Sequence, residues 1–415
     1  MNFFSYLYRP FSTTCDHALP PIIHNISPIK SPEPYYRTHI IKSNSNVVKS
    51  LIDTLNSKPY RFGFTSSQLV FHIKKNNIKI WKPTISTLVN FIGYNDNEIE
   101  KIIKQPLLNP FTIITYCQHI HETPVPIPTK LNILFNNNKL IVIDKPVGIP
   151  VHEVQKYYYN TIHEILANQL NINKNCLKPI HRLDKLTSGI LIWGINSEIV
   201  SKFKDNQFWN KSKIYIARIK GRLSLNKIEN TDDLVYLYPS REMIKLYKGT
   251  KTEFNELYYD PIKKESIVSA KLLTGFPHQI RIHLRNMGTP IVDDPLYGFN
   301  GKYREIKKKR EDIDNEYWAL LIERSKQIQL SKISNYELPC NECSSQIFKI
   351  PEKDTIGEYA ICLHAWKYEY HGSPNGPYHD EHYKFQSNIP SWAIPLGKHG
   401  EYQIIEKLND LYSRL

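Results

Sequence analysis

The sequence predicts an α+β fold in which helices pack against a mixed β-sheet. Three observations favour this class. Compact apolar runs such as Leu140–Asp144 and Ser188–Ile195 have the length and composition of buried strands. The segment Ser212–Gly221 alternates between two kinds of side chain, as a strand with one solvated face does. Segments with helical spacing, such as Asn160–Leu170, lie between these strands, and the mixed lengths of the elements indicate a mixed sheet.

Residues 1–45 are predicted to be a flexible segment. Within it, residues 18–34 are rich in Pro, Ser and Ile, which is typical of an extended linker. The first fifteen residues contain no acidic residue, as in a mitochondrial presequence, but they hold a single Arg, and Pro10 would interrupt a targeting helix. A disordered terminus is the alternative interpretation of this stretch.

Residues 46–118 are predicted to form a small α+β module with a basic edge. Asn46–Leu55 has helical spacing, and Ser66–Pro83 has the pattern of a helix, an Asn-containing turn and a strand. Three lysines fall in this second stretch: Lys74, Lys75 and Lys79. The Pro-rich stretch His119–Pro128 must run extended, and we interpret it as the linker to the next domain.

Residues 130–395 are predicted to form the main domain, and residues 396–415 a closing helix. Asn160 or Thr161 is expected to cap the first helix of this domain. Residues 301–350 are expected to be an insertion, which is charged and helix-prone in its first part. The later elements follow from capping residues and periodicity: a helix at Ser197–Phe203, a strand at Glu265–Gly275, a helix at His278–Gly288 and a strand at Glu358–Tyr370.

Composition and charge narrow the functional classes. The 415 residues are 41% hydrophobic and 12% aromatic, which supports a sizeable core and argues against disorder throughout. Lys and Arg outnumber Asp and Glu by 54 to 40, and this net charge of +14 favours a polyanionic partner, although many basic proteins bind no nucleic acid. The six dispersed cysteines favour a reducing compartment. The apolar runs are far shorter than the roughly 20 residues that span a bilayer, so no membrane partner is expected.

A carboxylate flanked by cations is the first candidate for chemistry. Asp184 lies between Arg182 and Lys185, whose charges are expected to lower its pKa and keep it ionised. The Thr-Ser-Gly sequence that follows predicts a tight turn before an apolar strand, which places the carboxylate at the mouth of the sheet. The alternative is a structural aspartate that holds the loop through an Arg salt bridge.

Two further segments carry candidate residues. The helix that follows His278 places Arg281 and Arg285 four residues apart on one face, where they are suited to grip a phosphate. The alternative there is a solvated amphipathic helix. Tyr215 lies in the alternating strand, where its ring is suited to stack on a base and its hydroxyl to form a hydrogen bond. For a single tyrosine in a strand, core packing is the alternative.

Four stretches in this order resemble the RluA-type pseudouridine synthases: "DKPVGIPVH", "HRLDKLTSGILIWG", "KIYIARIKG" and "TGFPHQIRIHLRNMGTPIVDDPLYG". A fifth, "ICLHAWKYEY", is similar to a strand near the end of that family's domain, so the resemblance covers roughly residues 130 to 372. It implies a pseudouridine synthase catalytic domain with a mixed, largely antiparallel sheet flanked by helices, and a small N-terminal S4-like RNA-binding module. It also implies a reaction that needs no metal and no cofactor.

The resemblance implies a role for each matching residue. Asp184 matches the family's essential aspartate, which attacks or stabilises the ribose–uracil unit, and Arg281 matches the arginine that pairs with it. Tyr215 matches the active-site tyrosine, which lies against the base and is a candidate for proton removal. Arg182 matches the arginine that enters the RNA where the target nucleotide has flipped out. Three neighbours in the same motifs are expected to contact the substrate: His181, His278 and Gln279.

The chain departs from the family pattern in two places. The common "GRTHQIR" is here "GFPHQIR", so that one positive charge near the site is lost to Phe276 and Pro277. The insertion and its "CNEC" sequence interrupt the stretch before the last strand, and this Cys340–Cys343 pair has the spacing of half a zinc site. Structural zinc takes four ligands, and the nearby candidates are Cys362 and His364. The alternative, which we favour, is a turn with two free thiols and no metal.

The resemblance implies an RNA pseudouridine synthase whose partner is RNA. The stretch "HIHETPVPIP" is similar to the linker of fungal tRNA-modifying members, which favours tRNA. Modification of rRNA, or a non-catalytic RNA-binding or chaperone role on the same fold, are the alternatives. A glycosidase or nucleoside hydrolase would need a second carboxylate, for which the motifs offer Asp293 and Asp294. We expect a monomer in the cytoplasm, the mitochondrion or both, with the nucleus as an alternative.

Overall fold

The structure is a computed structural model, and it describes residue 19 and the ranges 29–30, 35–42, 50–56, 64–82, 87–89, 93–105, 112–154, 157–204, 209–224, 227–238, 243–300, 336–339, 346–348, 360–372, 380–396 and 399–412. The chain divides into two compact units. The larger unit comprises Met1–Ser31, Thr123–Glu337 and Phe348–Leu415, and the smaller unit comprises Pro32–Glu122 and Leu338–Ile347.

Strands outnumber helices in the described ranges: β1 Ile29–Lys30, β2 Tyr35–Lys42, β3 Ile78–Lys82, β4 Thr87–Val89, β5 Ile113–Ile120, β6 Val125–Pro126, β7 Asn132–Asn136, β8 Leu140–Lys145, β9 Lys178–Pro179, β10 Ser188–Gly194, β11 Trp209–Lys220, β12 Lys227–Tyr238, β13 Met243–Asp260, β14 Glu265–Leu272, β15 Tyr336–Pro339, β16 Gln346–Phe348, β17 Leu363–Gly372 and β18 His382–Gln386. The α-helices of the same ranges are α1 Leu51–Asn56, α2 Ser66–Lys74, α3 Asp96–Lys104, α4 Ile162–Leu170, α5 Ser197–Lys204, α6 Gln279–Asn286 and α7 Gly400–Tyr412.

One sheet organises the larger unit. Its strand order is β12-β13-β14-β11-β17-β10-β8-β7, with β18 paired to β17 and β9 paired to β10. The described pairs are antiparallel except for β10 with β17, which run parallel and match Ser188 to His364 and Gly189 to Ala365. This architecture confirms the α+β class and the mixed, largely antiparallel sheet.

The centre of this sheet is buried because its strands are apolar on both faces. In β8 and β10 nearly every residue is buried, and Trp193 is fully buried. The helix α4 starts where the Thr161 hydroxyl oxygen accepts the N–H of Glu164 at 3.2 Å, so of the two predicted caps, Asn160 and Thr161, Thr161 is the cap. It ends at Asn171, whose left-handed conformation closes the helix.

The closing helix α7 packs on the larger unit through one apolar face. Ile404, Leu408 and Tyr412 on this face are buried. The Tyr412 hydroxyl contacts the Ser269 hydroxyl at 2.8 Å and accepts from the Asn255 amide at 3.2 Å, which ties the helix to β14 and β13. The helix lies within the predicted range 396–415.

The smaller unit has its own sheet and its own core. The strand order is β2-β5-β3-β4, and α1, α2 and α3 contribute to an apolar core with the sheet. Capping boxes start two of the helices, at Thr65 and Asn95. Strand β2 lies in the range 1–45 that the sequence suggests is flexible, and it is ordered by full antiparallel pairing with β5. The likeness to an S4 module stays a prediction.

Two other regions differ from the sequence-based expectation. The strands β12 and β13 form a long hairpin that the residue pattern did not indicate. In the insertion at 301–350 the described residues form β15 and β16, which pair with each other, while Cys340 and Cys343 lie outside the described residues. Across the described helices, none has the length and apolar character needed to cross a membrane.

Candidate active site

The loop between β9 and β10 carries Asp184, and a buried lysine holds this loop in place. The Nζ of Lys145 donates to the carbonyl oxygens of Lys185 at 3.2 Å and Thr187 at 2.8 Å, just after Asp184 in the chain. The Thr187 N–H donates to the Asp184 carbonyl at 3.2 Å, which forms the predicted turn. Because Lys145 is fully buried, these bonds replace its hydration and fix the loop.

Arg281 in α6 lies between two carboxylates. Its Nη1 donates to Asp184 Oδ2 at 2.9 Å, while its Nε and Nη2 donate to the two carboxylate oxygens of Asp294 at 2.7 and 2.8 Å. Asp294 also accepts the backbone N–H groups of Leu296 and Tyr297. The Arg281 side chain is 2% exposed. The bidentate pair with Asp294 fixes the plane of the guanidinium, which then directs an N–H group at Asp184.

These charges keep Asp184 ionised. Burial by itself raises the pKa of Asp184. The charge that His278 carries when it is protonated, the Arg281 charge and hydrogen bond, and the Arg182 charge together lower the pKa by more, so it lies below the ordinary value. Burial also raises the pKa of Asp294, and Arg281 again reverses that effect. The Arg281 pKa stays above its ordinary value, because the Asp294 and Asp184 charges outweigh burial. Both carboxylates are therefore anions at neutral pH.

His278 is neutral at physiological pH. Burial lowers its pKa to about 4, although Asp184 opposes this shift. Its Nε2 lies 3.4 Å from Asp184 Oδ2, and its Nδ1 lies 3.0 Å from the Tyr297 hydroxyl. An ionised carboxylate cannot donate, so Nε2 carries the proton and Nδ1 accepts from Tyr297. Arg281 is consequently the cation that contacts Asp184 at neutral pH.

Tyr215 in β11 lies in the same cavity and bonds to a second tyrosine. Its hydroxyl forms a short hydrogen bond with the Tyr368 hydroxyl of β17. Burial raises the pKa of Tyr215, and the negative charge of Asp184 raises it further. The Tyr215 hydroxyl is therefore protonated and uncharged at neutral pH.

The cavity that contains these residues has a volume of about 1060 Å³. Asp184 is the carboxylate among its described lining residues, whereas the cations are more numerous: Arg182, Lys204, Lys211, Lys213 and Arg281. The Nζ of Lys213 lies 5.4 Å from the centre of the Tyr368 ring, and burial lowers the Lys213 pKa to about 8. A cavity with this balance of charge suits an anionic substrate.

The other residues expected at the site fall into two groups. Arg182 is exposed beside Asp184 and lines the cavity. His181 also lines it, but its Nε2 accepts the N–H of Ile192 at 3.3 Å. The Gln279 side-chain N–H groups donate to the Lys251 carbonyl and the Thr252 hydroxyl, and its oxygen accepts from two groups of the preceding loop: the Thr274 hydroxyl and the Phe276 N–H. These four bonds make Gln279 a support for the loop.

Two residues of the site, Tyr368 and Lys213, were not singled out from the sequence, and Asp294 was considered only as a second carboxylate for a hydrolase. Asp294 lies in a quoted motif, but its direction depends on the turn at Asp293, which has a positive φ of 62°. Tyr368 belongs to the strand "LHAWKYEY", where strand alternation places it on the same face as Tyr370. Lys213 precedes Tyr215 by two residues and shares its face for the same reason. Strand periodicity was the available signal for both.

The described residues contain no group of three or more His, Cys, Asp or Glu placed to hold a metal ion. Cys362 is buried. His364 contacts the hydroxyls of Ser188 at 2.8 Å and Ser387 at 2.6 Å, and burial lowers its pKa to about 4. Both nitrogens of His364 are therefore occupied within the protein, which leaves it without a lone pair for a metal in this arrangement.

Comparison with known proteins assigns the chain to a family. Residues 139–286 match the profile of the family described as RNA pseudouridylate synthase. The tRNA pseudouridine(31) synthase of Saccharomyces cerevisiae is 31% identical over 66% of this chain and 76% of its own length. The mitochondrial tRNA pseudouridine(32) synthase of the same yeast is 29% identical over 68% of this chain and 63% of its own length. The human pseudouridylate synthase RPUSD2 is 32% identical over 43% of this chain and 33% of its own length. The extent of the match to the first yeast protein shows that this chain belongs to the RNA pseudouridylate synthase family.

Proposed function

We propose that the protein is an RNA pseudouridine synthase that isomerises uridine in tRNA. The observation that carries this proposal is the half-buried Asp184 carboxylate, held ionised by Arg281 inside a basic cavity that also contains Tyr215. The family match supports the reaction type. The names of the two yeast relatives support the class of RNA.

The reaction breaks the bond between N1 of uracil and C1′ of ribose, turns the base, joins C5 to C1′, and moves the C5 proton. The reaction involves no oxidation or reduction and consumes no water, so the product is an isomer of the substrate. Breaking a glycosidic bond develops positive charge at C1′ or requires a nucleophile, and the Asp184 carboxylate serves either need. The carboxylate is ionised at neutral pH, as either role requires, because the pKa of Asp184 is lowered.

Tyr215 is proposed to lie against the uracil and to take part in removing the C5 proton. Because its pKa is raised, the Tyr215 hydroxyl is protonated before the reaction and is not a phenolate that could act directly as a general base. It must give up its own proton to accept the one from C5, and N1 of uracil, which gains a proton in the overall reaction, is the acceptor that balances this exchange. The Tyr368 hydroxyl is hydrogen-bonded to Tyr215 and holds its hydroxyl in place. His278, neutral at this pH, donates toward Asp184 without adding charge.

The target uridine has to leave the RNA stack to reach Asp184. Extruding a base costs a few kcal/mol, which contacts in the cavity and an inserted side chain offset. Arg182 is exposed beside Asp184, so it is placed to fill the gap that the base leaves. The cationic lining residues and the net charge of +14 favour the RNA phosphates.

A tRNA substrate is favoured over rRNA because both yeast relatives are named for tRNA positions, 31 and 32. These two positions are adjacent, so we propose a uridine at this place in the anticodon arm. One relative is named as mitochondrial, which supports a mitochondrial location, with the cytoplasm as the other compartment. We further propose that the chain acts as a monomer.

Tritium release from tRNA labelled at C5 of uridine tests the proposal, because this proton leaves only when the base is isomerised. We expect release by the wild-type protein at a mapped uridine, and none by Asp184→Asn, while binding of the same tRNA changes by less than about threefold. Asp293→Asn is the matched control. Asp293 is exposed, and Asn tolerates its positive φ, so activity should stay at the wild-type level.

The outcomes separate the alternatives. Binding of tRNA without tritium release by the wild-type protein would support an RNA-binding protein and reject the enzyme. Release of free uracil would indicate a hydrolase, which the structure disfavours because Asp294, the second motif carboxylate, points into the Arg281 pair and does not line the cavity. Normal turnover by Asp184→Asn would reject the assigned role of Asp184.

A further inference from the structure

The loop Thr274–His278, between β14 and α6, places an aromatic ring at the rim of the cavity. Phe276 is half-buried and lines the cavity, while its neighbours Gly275 and Pro277 are exposed. The next residue, His278, reaches Asp184. The loop therefore joins exposed residues to the one that contacts Asp184, and Phe276 lines the cavity two residues before His278.

Hydrogen bonds fix this loop before any RNA binds. The Gln279 side-chain oxygen accepts the Phe276 N–H at 3.1 Å and the Thr274 hydroxyl at 2.9 Å. The Lys251 N–H donates to the Thr274 hydroxyl oxygen at 2.7 Å. The Phe276 ring packs on Tyr247, with ring centres 4.8 Å apart. A side chain held this way loses little freedom when a ligand covers its remaining surface.

The chemistry of the surroundings suits a strand of RNA at this ring. Extruding a uridine exposes one face of the base on either side of it, and an aromatic side chain that stacks on such a face stabilises the extruded state. Lysines line the same cavity and are suited to the phosphates between these bases: Lys204, Lys211 and Lys213. Aromatic rings beside cations are the arrangement that binds single-stranded nucleic acid.

We propose that Phe276 is a stacking platform for the nucleotide next to the isomerised uridine. This inference rests on the proposed function. The ring stacks on a base beside the gap that Arg182 is proposed to fill, which stabilises the extruded state and favours RNAs whose neighbouring nucleotide carries a base that reaches the ring. Phe276 is thus a residue that determines substrate preference, acting outside the bond-breaking step.

The test combines a protein substitution with a substrate substitution. Single-turnover tritium release is measured against enzyme concentration, using the labelled tRNA and two versions in which the nucleotide 5′ or 3′ of the target uridine is abasic. Phe276→Leu keeps an apolar side chain but removes the flat face. On intact tRNA it should raise the half-saturating enzyme concentration about tenfold and leave the maximal rate nearly unchanged. On one abasic tRNA, wild type and Phe276→Leu should behave alike.

Two variants guard against a structural explanation. Phe276→Trp keeps a flat ring and should bind the intact tRNA as the wild type does. Phe299→Leu makes the same change at a side chain that is 59% exposed and does not line the cavity, so it should have no effect. Melting temperatures of all variants show whether the packing on Tyr247 has been lost.

Each result decides the question. An equal loss for Phe276→Leu on intact and on both abasic tRNAs would mean that Phe276 only packs the loop, and no loss on intact tRNA would mean that nothing stacks there. Either result would overturn the inference while leaving the proposed function standing. Failure of the wild-type protein to release tritium from any tRNA would reject the proposed function, and the inference with it.

Discussion

Replacement of Arg281 by methionine should move the pH dependence of the reaction. Arg281 contacts Asp184 at 2.9 Å, and burial is the largest influence on the Asp184 pKa, acting to raise it. Without the guanidinium, burial is opposed by His278, when that residue is protonated, and by the Arg182 charge. Methionine has a similar reach and no charge, so Arg281→Met removes the ion pair and keeps most of the packing volume.

The size of the shift follows from Coulomb's law. Two unit charges about 4 Å apart interact by about 4 kcal/mol at an effective dielectric constant of about 20. At about 1.4 kcal/mol per unit, this corresponds to about 3 units of pKa. The pKa of the Asp184 carboxyl should therefore be strongly raised in Arg281→Met. Below this raised pKa the carboxyl is protonated and inactive, and the rate should fall about tenfold per pH unit as the pH decreases.

The assay is single-turnover tritium release from labelled tRNA between pH 5 and 8.5. The wild-type rate should show no acid limb from Asp184 in this range, because its pKa lies below the ordinary value. The pH–rate profile of Arg281→Met should show a clear acid limb in this range. Two profiles that differ by a constant factor at every pH would refute the reasoning, since they would show that Arg281 positions the site without setting the charge of Asp184.

Loss of Arg281 also leaves Asp294 as an unpaired buried charge. Removing one partner of a buried pair costs about 3 to 5 kcal/mol of stability, which could reduce activity through unfolding alone. The double variant Arg281→Met with Asp294→Asn removes this charge. It should recover much of the lost stability in a denaturant titration and keep the raised acid limb, which separates the electrostatic effect from the folding effect.

Two further substitutions have expected outcomes. Tyr215→Phe should slow tritium release by about 10²-fold or more, because it removes the hydroxyl proposed for proton transfer. Tyr368→Phe removes only the bonded partner of that hydroxyl and should slow the release less. Equal effects of the two substitutions would contradict the proton-transfer role proposed for Tyr215. Gly189→Ala should lower the free energy of unfolding by about 3 kcal/mol or more, because the new Cβ would lie 2.6 Å from the Ala365 backbone N and because Gly189 has a φ of +106°. The control Gly275→Ala places its Cβ where no atom lies within 4 Å, so it should change this free energy by less than about 0.5 kcal/mol. Urea titrations measure both values.

Local patterns predicted the elements whose signal lies in neighbouring residues. The strands β8 and β10 were found because they are short, apolar and buried. The start of α4 was found because Thr161 supplies a side-chain oxygen to the first turn. The hairpin β12–β13 was missed because its stability comes from pairing with β14, which no short stretch of residues reveals.

In the candidate site too, local sequence indicated some residues, whereas partners that are distant in the chain were not predicted. The flanking charges of Asp184 indicated an ionised carboxylate, and the family resemblance suggested its partner Arg281, which is 97 residues away in the chain and 2.9 Å away in space. The second carboxylate of the pair, Asp294, depended on a left-handed residue in the preceding turn. The contacts of Gln279 depended on Lys251 and Thr252, in a different strand. Such distant partners become visible only when the sheet is assembled.

The parallel pairing of β10 with β17 has a consequence for motion. It is the point at which the strands next to Asp184 meet those that support Tyr215, and its register matches Ser188 to His364 and Gly189 to Ala365. Two residue pairs are in register across this seam, against six between β10 and β8 and nine between β11 and β17. We therefore expect bending of the sheet to concentrate at the seam. Such bending would change the separation of Asp184 and Arg281, because the strands next to these two residues lie on opposite sides of it.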